Sequence, residues 1–347
     1  MISETILKTR VYLTIDLECK KDSGNVDGPV EGRFDSCDKA YGLDFILETL
    51  ERYSLVATFF TEPFFSYRFG KQALQSVCDR ILSSGHDIEL HLHPGFKSKN
   101  FDLSEDFMFS YDYEKQKAVI SEGIEILLSC GASEPTAFRA GHFSADNKTP
   151  EALAACGIKV SSNYNLDYLK KTCKIDSSRF GGSGYDSEQN NYNQPFFYEN
   201  KVIEMPLTCF YERNILSPSG RFGLKRTSRH MQITALSHPE TEWMIQNADN
   251  LELNDIVIIF HSFEFVHIKD DKNNIGKPIF INIRRFEQLC DYLVRNQSKI
   301  EVRTMKDAAR NPGWFQDSKN ASVPKMPFVR TVAGKMEQLN KRIQMMF

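Results

Sequence analysis

The sequence predicts an α/β protein with a mostly parallel sheet, and seven or eight strands favour closing that sheet into a barrel. Short β-rich runs recur at 10–16, 56–61, 87–93, 135–141, 158–163, 201–207, 255–261 and 299–304. Segments of helical period lie between several of them. Strands alternating with helices build right-handed βαβ units, which place neighbouring strands parallel.

In chain order, "RVYLTID" and "VATFFT" are the first two strands, separated by the helical stripe Leu43, Ile46, Leu47 and Leu50. Ala73, Leu74, Val77, Cys78, Ile81 and Leu82 form a second stripe, and Gly85 stands where that helix ends before "DIELHLH". A third stripe, Ile120, Ile124, Leu127 and Leu128, stops at Gly131 ahead of "PTAFRAG". "KTPEALAACG" carries Thr149 as N-cap, Pro150 in the first turn and Gly157 past the end, and "IKVSSN" follows. The polar, Gly-rich stretch 177–194 reads as a long loop at the barrel mouth, because strand-like sequence resumes at once in "KVIEMPL". "DIVIIFH" and "KIEVRT" complete the strands.

Composition narrows the function. With 347 residues, 41% hydrophobic, 26% charged and a net charge of -3, the chain is an ordinary globular protein without the basic excess that nucleic acid would ask for. The first residues offer only short apolar runs broken by Glu4, Lys8 and Arg10, so neither a secretory signal nor a membrane span is expected, and the cytoplasm is the expected location. Eight scattered cysteines without a C-x-x-C pair fit reduced, buried thiols and exclude a zinc knuckle.

In a parallel barrel the C-terminal strand ends form the active face. Asp16 and Glu18 lie two apart and share a strand face, and by the same alternation His91 and His93 converge. The next strand ends in Arg139 and His142, and "IVIIF" ends in His261. Two imidazoles and a carboxylate make a three-ligand set with a vacancy, as catalytic zinc sites require, though cobalt, nickel or iron would also suit imidazole. A bare H-x-H occurs on ordinary strands; the company of two carboxylates, an arginine and a further histidine at strand ends is hard to attribute to packing. His261, closing an apolar strand, must be hydrogen-bonded or functional.

Taken in order, "LTIDLE", "ATFFTEP", "GHDIELHLHPG", "FRAGHFSADNKTPEALAACGI", "VIEMPL" and "IIFHSFEF" resemble the motif set of the polysaccharide deacetylases, carbohydrate esterase family 4, over roughly residues 8–310. The resemblance implies a distorted (β/α) barrel of seven or eight strands across 1–310. It also implies removal of N- or O-acetyl groups from sugars with one divalent metal, zinc first and cobalt or nickel as alternatives. By position, Asp16 is similar to the family's catalytic base, Arg139 to the arginine that orients it and His261 to the general acid.

Three departures fall near the metal. Asp16-Leu17 replaces an Asp-Asp pair, H-x-H replaces H-x-x-x-H because Gly95 stands four after His91, and Gly141-His142 replaces Pro-Tyr. The ligand set then becomes Glu18, His91 and His93, with Asp16 as the alternative carboxylate. His142, Glu264, Arg221 and Arg226 are the candidates for substrate contact.

The expected substrate is a sugar or glycan precursor of a surface polysaccharide. Arg213, Arg221, Lys225, Arg226 and Arg229 stand against one acid, Glu212, in 211–230, which suits the phosphate of a nucleotide- or lipid-linked sugar or simply makes a solvated basic loop. A C-terminal extension, 311–347, carries Val329, Val332, Met336, Leu339, Ile343 and Met346 at 3-4-3-4-3 spacing, and six Lys or Arg against one Glu from Lys319 onward. That basic amphipathic helix has three placements: packed on the barrel, paired in a homodimer, or peripheral on the inner membrane face. Competing functions are a deformylase or O-deacetylase with the same machinery, and a non-catalytic glycan-binding barrel, which Asp16-Leu17 keeps open.

Overall fold

The computed structural model describes residues 8–21, 24–35, 39–98, 100–169, 171–176, 193–199, 201–216, 222–270, 273–316 and 323–346. Its strands are β1 (Thr9–Leu17), β2 (Thr58–Thr61), β3 (Asp87–Leu92), β4 (Ala137–Ala140), β5 (Val160–Ser161), β6 (Phe196–Phe197), β7 (Ile203–Glu204), β8 (Cys209–Leu216), β9 (Phe222–His230), β10 (Asp255–His261), β11 (Val266–Asp270), β12 (Ile275–Pro278) and β13 (Ile300–Arg303). Its helices are α1 (Leu43–Arg52), α2 (Ser66–Phe69), α3 (Lys71–Ser83), α4 (Tyr113–Ser129), α5 (Thr149–Ala155), α6 (His238–Gln246), α7 (Phe280–Arg295), α8 (Met305–Arg310) and α9 (Phe328–Met346).

β1 is buried along its whole length, as a parallel strand covered on both faces must be. The main sheet runs β10-β1-β2-β3-β4-β5-β7-β6, with β13 also on β1. Every pairing in it is parallel except β6 with β7. The eight runs read from sequence are therefore the eight parallel strands. One edge of β1 is shared: Thr9–Tyr12 pair with β13 and Thr14–Leu17 with β2. Between β7 and β10 no strand closes the sheet among the described residues; Thr208 N donates to Val257 O at 3.3 Å and Ile259 N to Met231 O at 3.0 Å. This irregular seam makes the barrel a distorted one.

Several expectations are corrected. Thr149 is the first residue of α5, with Lys148 at the cap, and Leu128 faces solvent instead of the core. The expected loop at the barrel mouth, 177–194, lies outside the described residues except for its end, where Gln194 Nε2 donates to the carbonyl of Asp255 at 2.9 Å at the start of β10. The basic stretch 211–230 is an antiparallel hairpin, β8 with β9, because the two segments satisfy their backbone groups by pairing. Among the described residues Cys78, Cys130, Cys156, Cys173, Cys209 and Cys290 form no disulfide, and all of these but Cys156 are buried. Among the described residues no helix is long and apolar enough to cross a membrane.

α9 packs on α6 and β8 with its polar face, the reverse of what its apolar seam predicts. Gln338 Nε2 donates to the carbonyls of Thr234 and Ala235 at 2.7 and 3.0 Å, and Glu337 Oε1 is 2.6 Å from Arg285 Nε. Thr331 is buried, and at Gly334 any side chain would collide with the Glu240 carboxylate.

Candidate active site

The parallel register brings the strand ends together. Asp16 stands opposite His261 across β1 and β10, and His91 opposite Arg139 across β3 and β4. Arg139 is fully buried; its Nη1 donates to Asp16 Oδ1 at 2.5 Å. Its other donors go to Thr14 Oγ1 at 3.1 Å, Ser162 Oγ at 2.9 Å and Ser162 O at 3.2 Å, and its guanidinium lies 4.2 Å from the Phe60 ring centroid. Burial pulls the Arg139 pKa below its ordinary value while Asp16 opposes the shift. One oxygen of Asp16 is thus pinned by a buried cation.

Glu18 lies just past β1, with Oε2 3.0 Å from His91 Nε2 and 2.6 Å from His93 Nε2. His91 Nδ1 is 2.9 Å from the carbonyl of Arg139, which only accepts, so this nitrogen donates there and Nε2 is turned toward Glu18 and the cavity. His93 Nδ1 is 2.8 Å from Asp106 Oδ2, and Gly95 N holds the other oxygen of that carboxylate at 3.0 Å. A backing acceptor behind each imidazole is how metal-ligating histidines are oriented. One ligand atom from each of Glu18, His91 and His93 fits within a span of 4.8 Å, and this donor set suits a divalent metal with room for further ligands. His93, Asp106 and His142 also cluster, but there His93 offers only its rear nitrogen and Asp106 is its orienting carboxylate.

Gly141 explains why Gly-His stands here: a Cβ would lie 2.4 Å from the His93 ring. His142 and Phe143 then adopt left-handed backbone, φ 56° and 52°, a strain that residues with side chains accept mainly at functional sites. The turn sends His142 Nε2 to within 3.0 Å of Asp106 Oδ2.

His261 Nδ1 is 2.8 Å from Glu264 Oε1, and its Nε2 is 3.9 Å from Glu18 Oε1. Gln232 Nε2 also donates to Glu264 Oε1. Gln232 Oε1 lies 3.1 Å from His230 Nε2, and His230 Nδ1 lies 2.8 Å from Asp167 Oδ2. A continuous chain, Asp167-His230-Gln232-Glu264-His261, therefore backs the acid candidate.

The charges are coupled. Burial alone would lower His93 and His261, yet Glu18 and Asp106 hold His93 well above the usual imidazole range, and Glu264 leads the groups that push His261 up to about 9. Burial raises Glu18, but His93 and His91 outweigh it and hold the carboxyl well below its ordinary value. All these groups surround one cavity of about 110 Å³, lined by Asp16, Glu18, His91, His93, His142 and His261 together with Phe143, Tyr168, His230 and Gln232.

Of the residues singled out in the sequence, Asp16, Glu18, His91, His93, His142 and His261 line this cavity and Arg139 stands behind Asp16. Glu264 is not in the lining; it holds His261 from behind, a positioning contact in place of the expected substrate contact. Arg221 and the Arg226 side chain lie outside the described residues. Arg229 of the same stretch is 2.7 Å from Glu212 and is spent on that ion pair. Asp106, Asp167, Tyr168, His230 and Gln232 went unread. "HMQ" (230–232) has the same i, i+2 spacing as "HLH" and was the available signal; Asp106, in an aperiodic stretch, offered none.

No family model matches the chain, and no curated protein matches it in sequence. Solved structures do match. A Mycobacterium smegmatis chain assigned as a polysaccharide deacetylase superposes with a TM-score of 0.52 at 14% identity, over 94% of this chain and 97% of that one. A Pseudomonas aeruginosa chain assigned likewise gives 0.49 at 13% identity, over 89% and 91%. The first of these shows that the chain has the polysaccharide deacetylase fold, a distorted (β/α) barrel; identity this low speaks for the fold alone.

Proposed function

We propose that the protein is a metal-dependent hydrolase that removes an N-acyl group, N-acetyl foremost, from a sugar of a surface-glycan precursor. The observation that carries this reading is one small cavity shared by an arginine-pinned carboxylate, a carboxylate-backed histidine and a three-residue metal-ligand set. Glu18, His91 and His93 would hold the ion, which when bound supplies Lewis acidity toward an acyl carbonyl and its attacking water. Asp16 takes a proton from that water, whose oxygen adds to the acyl carbon. Arg139 fixes the orientation of the Asp16 carboxylate through the hydrogen bond to Oδ1. The C–N bond then breaks with its electron pair going to nitrogen, and His261 Nε2 protonates the departing amine. Glu264, at 2.8 Å from Nδ1, favours the protonated ring and aims the other nitrogen at the cavity.

The cavity supports a substrate held mostly outside it. About 110 Å³ is well below the roughly 300–1,000 Å³ of ordinary ligand pockets, which suits an acyl group entering while the sugar and a nucleotide or lipid carrier stay at the rim. Buried thiols that form no disulfide, such as Cys78, Cys209 and Cys290, favour a cytoplasmic setting for such a precursor.

Elemental analysis of the wild type beside His91→Ala and His93→Ala tests the reading before any substrate is known. About one divalent ion per chain, lost in both variants, is expected. Release of acetate from nucleotide- and lipid-linked N-acetyl sugars is then the assay. A wild type that binds no metal after reconstitution with zinc, cobalt and nickel would overturn the hydrolase and leave a glycan-binding barrel.

A further inference from the structure

We propose that the packed face of the C-terminal helix is part of the active-site machinery: α9 and α7 together clamp the turn that carries Gln232, and Gln338 and Arg285 are positioning residues for His261. That His261 acts as an acid rests on the proposed hydrolysis; the clamp itself does not. The turn after β9 bends tightly, with Ala235 N and Leu236 N both donating to the Gln232 carbonyl, at 2.9 and 3.0 Å. Its next three carbonyls are taken by side chains from far along the chain. Arg285 Nη1 donates to Ile233 O at 3.2 Å and to Thr234 O at 3.1 Å, and Gln338 Nε2 donates to Thr234 O at 2.7 Å and to Ala235 O at 3.0 Å. Glu337 Oε1 ties the two helices together by accepting from Arg285 Nε at 2.6 Å. Water could serve turn carbonyls; ordered donors from two helices fix where the turn lies.

The same face of α7 holds the other partner. Asn282 stands three residues before Arg285, so the two share that face, and its Nδ2 donates to the Glu264 carbonyl at 2.5 Å. One helix therefore sets the backbone of Glu264 and, through Arg285, the turn that bears Gln232. The spacing of the Gln232–Glu264 hydrogen bond is fixed from outside the two residues that make it.

Glu264 makes that spacing matter. Its Oε1 accepts from Gln232 Nε2 and faces His261 Nδ1, while Oε2 is buried without a hydrogen-bond partner among the described residues. The contact from Gln232 is then what keeps Oε1 at His261, and a turn displaced from α9 lets the carboxylate rotate. Lys341, three residues beyond Gln338, registers how near α9 comes to this group: burial pushes it down to about 8, with Glu264 working against that shift and Arg285 adding to it.

The test reads His261 directly, through hydrogen exchange of its Nδ1 proton in NMR spectra of the full chain, with His261→Gln to assign the signal. The contact to Glu264 should protect that proton in the wild type. Gln338→Met keeps the length of the side chain and removes the donor, and should speed the exchange about three- to tenfold with unchanged circular dichroism. Leu339→Gln, the next residue and 58% exposed, should leave the exchange as it is. Arg285→Lys, which loses the fork that spans Glu337 and two carbonyls, should speed it at least as much as Gln338→Met; the milder Gln338 variant decides if the buried Arg285 variant does not fold. The proposal fails if the wild type has no protected Nδ1 proton, or if Gln338→Met exchanges as slowly as the wild type. It also fails if Leu339→Gln speeds the exchange equally, since α9 would then act through stability alone. The readout uses no substrate: faster exchange in a protein that releases no acetate keeps the clamp and loses the hydrolase, and unchanged exchange in an active protein keeps the hydrolase and loses the clamp.

Discussion

Two sets of residues build the same site, and the chain delivers them in different ways. Asp16, Glu18, His91, His93 and Arg139 sit on or next to the ends of β1, β3 and β4, where strand alternation fixes the direction of each side chain. Each is backed at short range: Arg139 behind Asp16, a β4 carbonyl behind His91, Asp106 behind His93. Phe143, Tyr168, His230 and Gln232 come from a strained turn, a loop and the end of the β8–β9 hairpin, all outside the parallel strands. His230 and Gln232 are held through Asp167 and Glu264, and the Phe143 and Tyr168 rings pack on each other and on His230. The contrast teaches that the reacting groups are anchored in the sheet, while the aim of the acid is set by a hydrogen-bonded strap laid across its open seam.

Breaking the sheet-anchored set should cost most. Asp16→Asn should lower kcat by about 10²–10⁴-fold or more with metal content unchanged; loss of the metal instead would make Asp16 the ligand and move the base role to Glu18. Asp106→Asn, which touches neither substrate nor ion, should weaken metal affinity by about 10–100-fold in competition with a chelator. Equal affinity would show that His93 needs no backing carboxylate.

Cutting the strap sharpens the comparison. Gln232→Leu should reduce kcat about tenfold through a misaimed His261, with KM and bound metal nearly constant. A loss confined to KM would make Gln232 a substrate contact, and no loss would separate the two sets entirely.

The smallest effect is on stability. His86 precedes β3 at the end opposite His91, and both its ring nitrogens are buried without a partner among the described residues. Burial pushes it down to about 4, whereas an unfolded histidine titrates near 6.5. The unfolded chain therefore binds the extra proton between those values, and stability is lost as pH falls through that window. Urea midpoints measured from pH 7 to pH 4 should fall less steeply in His86→Leu; parallel curves would clear His86 of the acid sensitivity.

The eight parallel strands were legible because each is a short apolar run bounded by turn or helix signals, and the histidine and carboxylate pairs because i, i+2 spacing shares a face. The hairpin escaped: "YERNIL" and "FGLKRTSRH" carry no apolar alternation, and their strand character arises from pairing with each other. α9 was legible as an amphipathic helix but not in its orientation, which Arg285, Glu240 and the Thr234 carbonyl decide.

By itself, the sequence determined the order of strands and helices, which strand ends carry polar groups and which faces those groups share, since period and alternation belong to consecutive residues. The tertiary structure alone decided which partner backs which group. Asp106 lies 13 residues from His93, Arg139 lies 123 from Asp16, and Gln232 lies 32 from Glu264. Contacts at such separations leave no periodic trace, because they are selected by the packing of the barrel and by the need to satisfy each buried polar group.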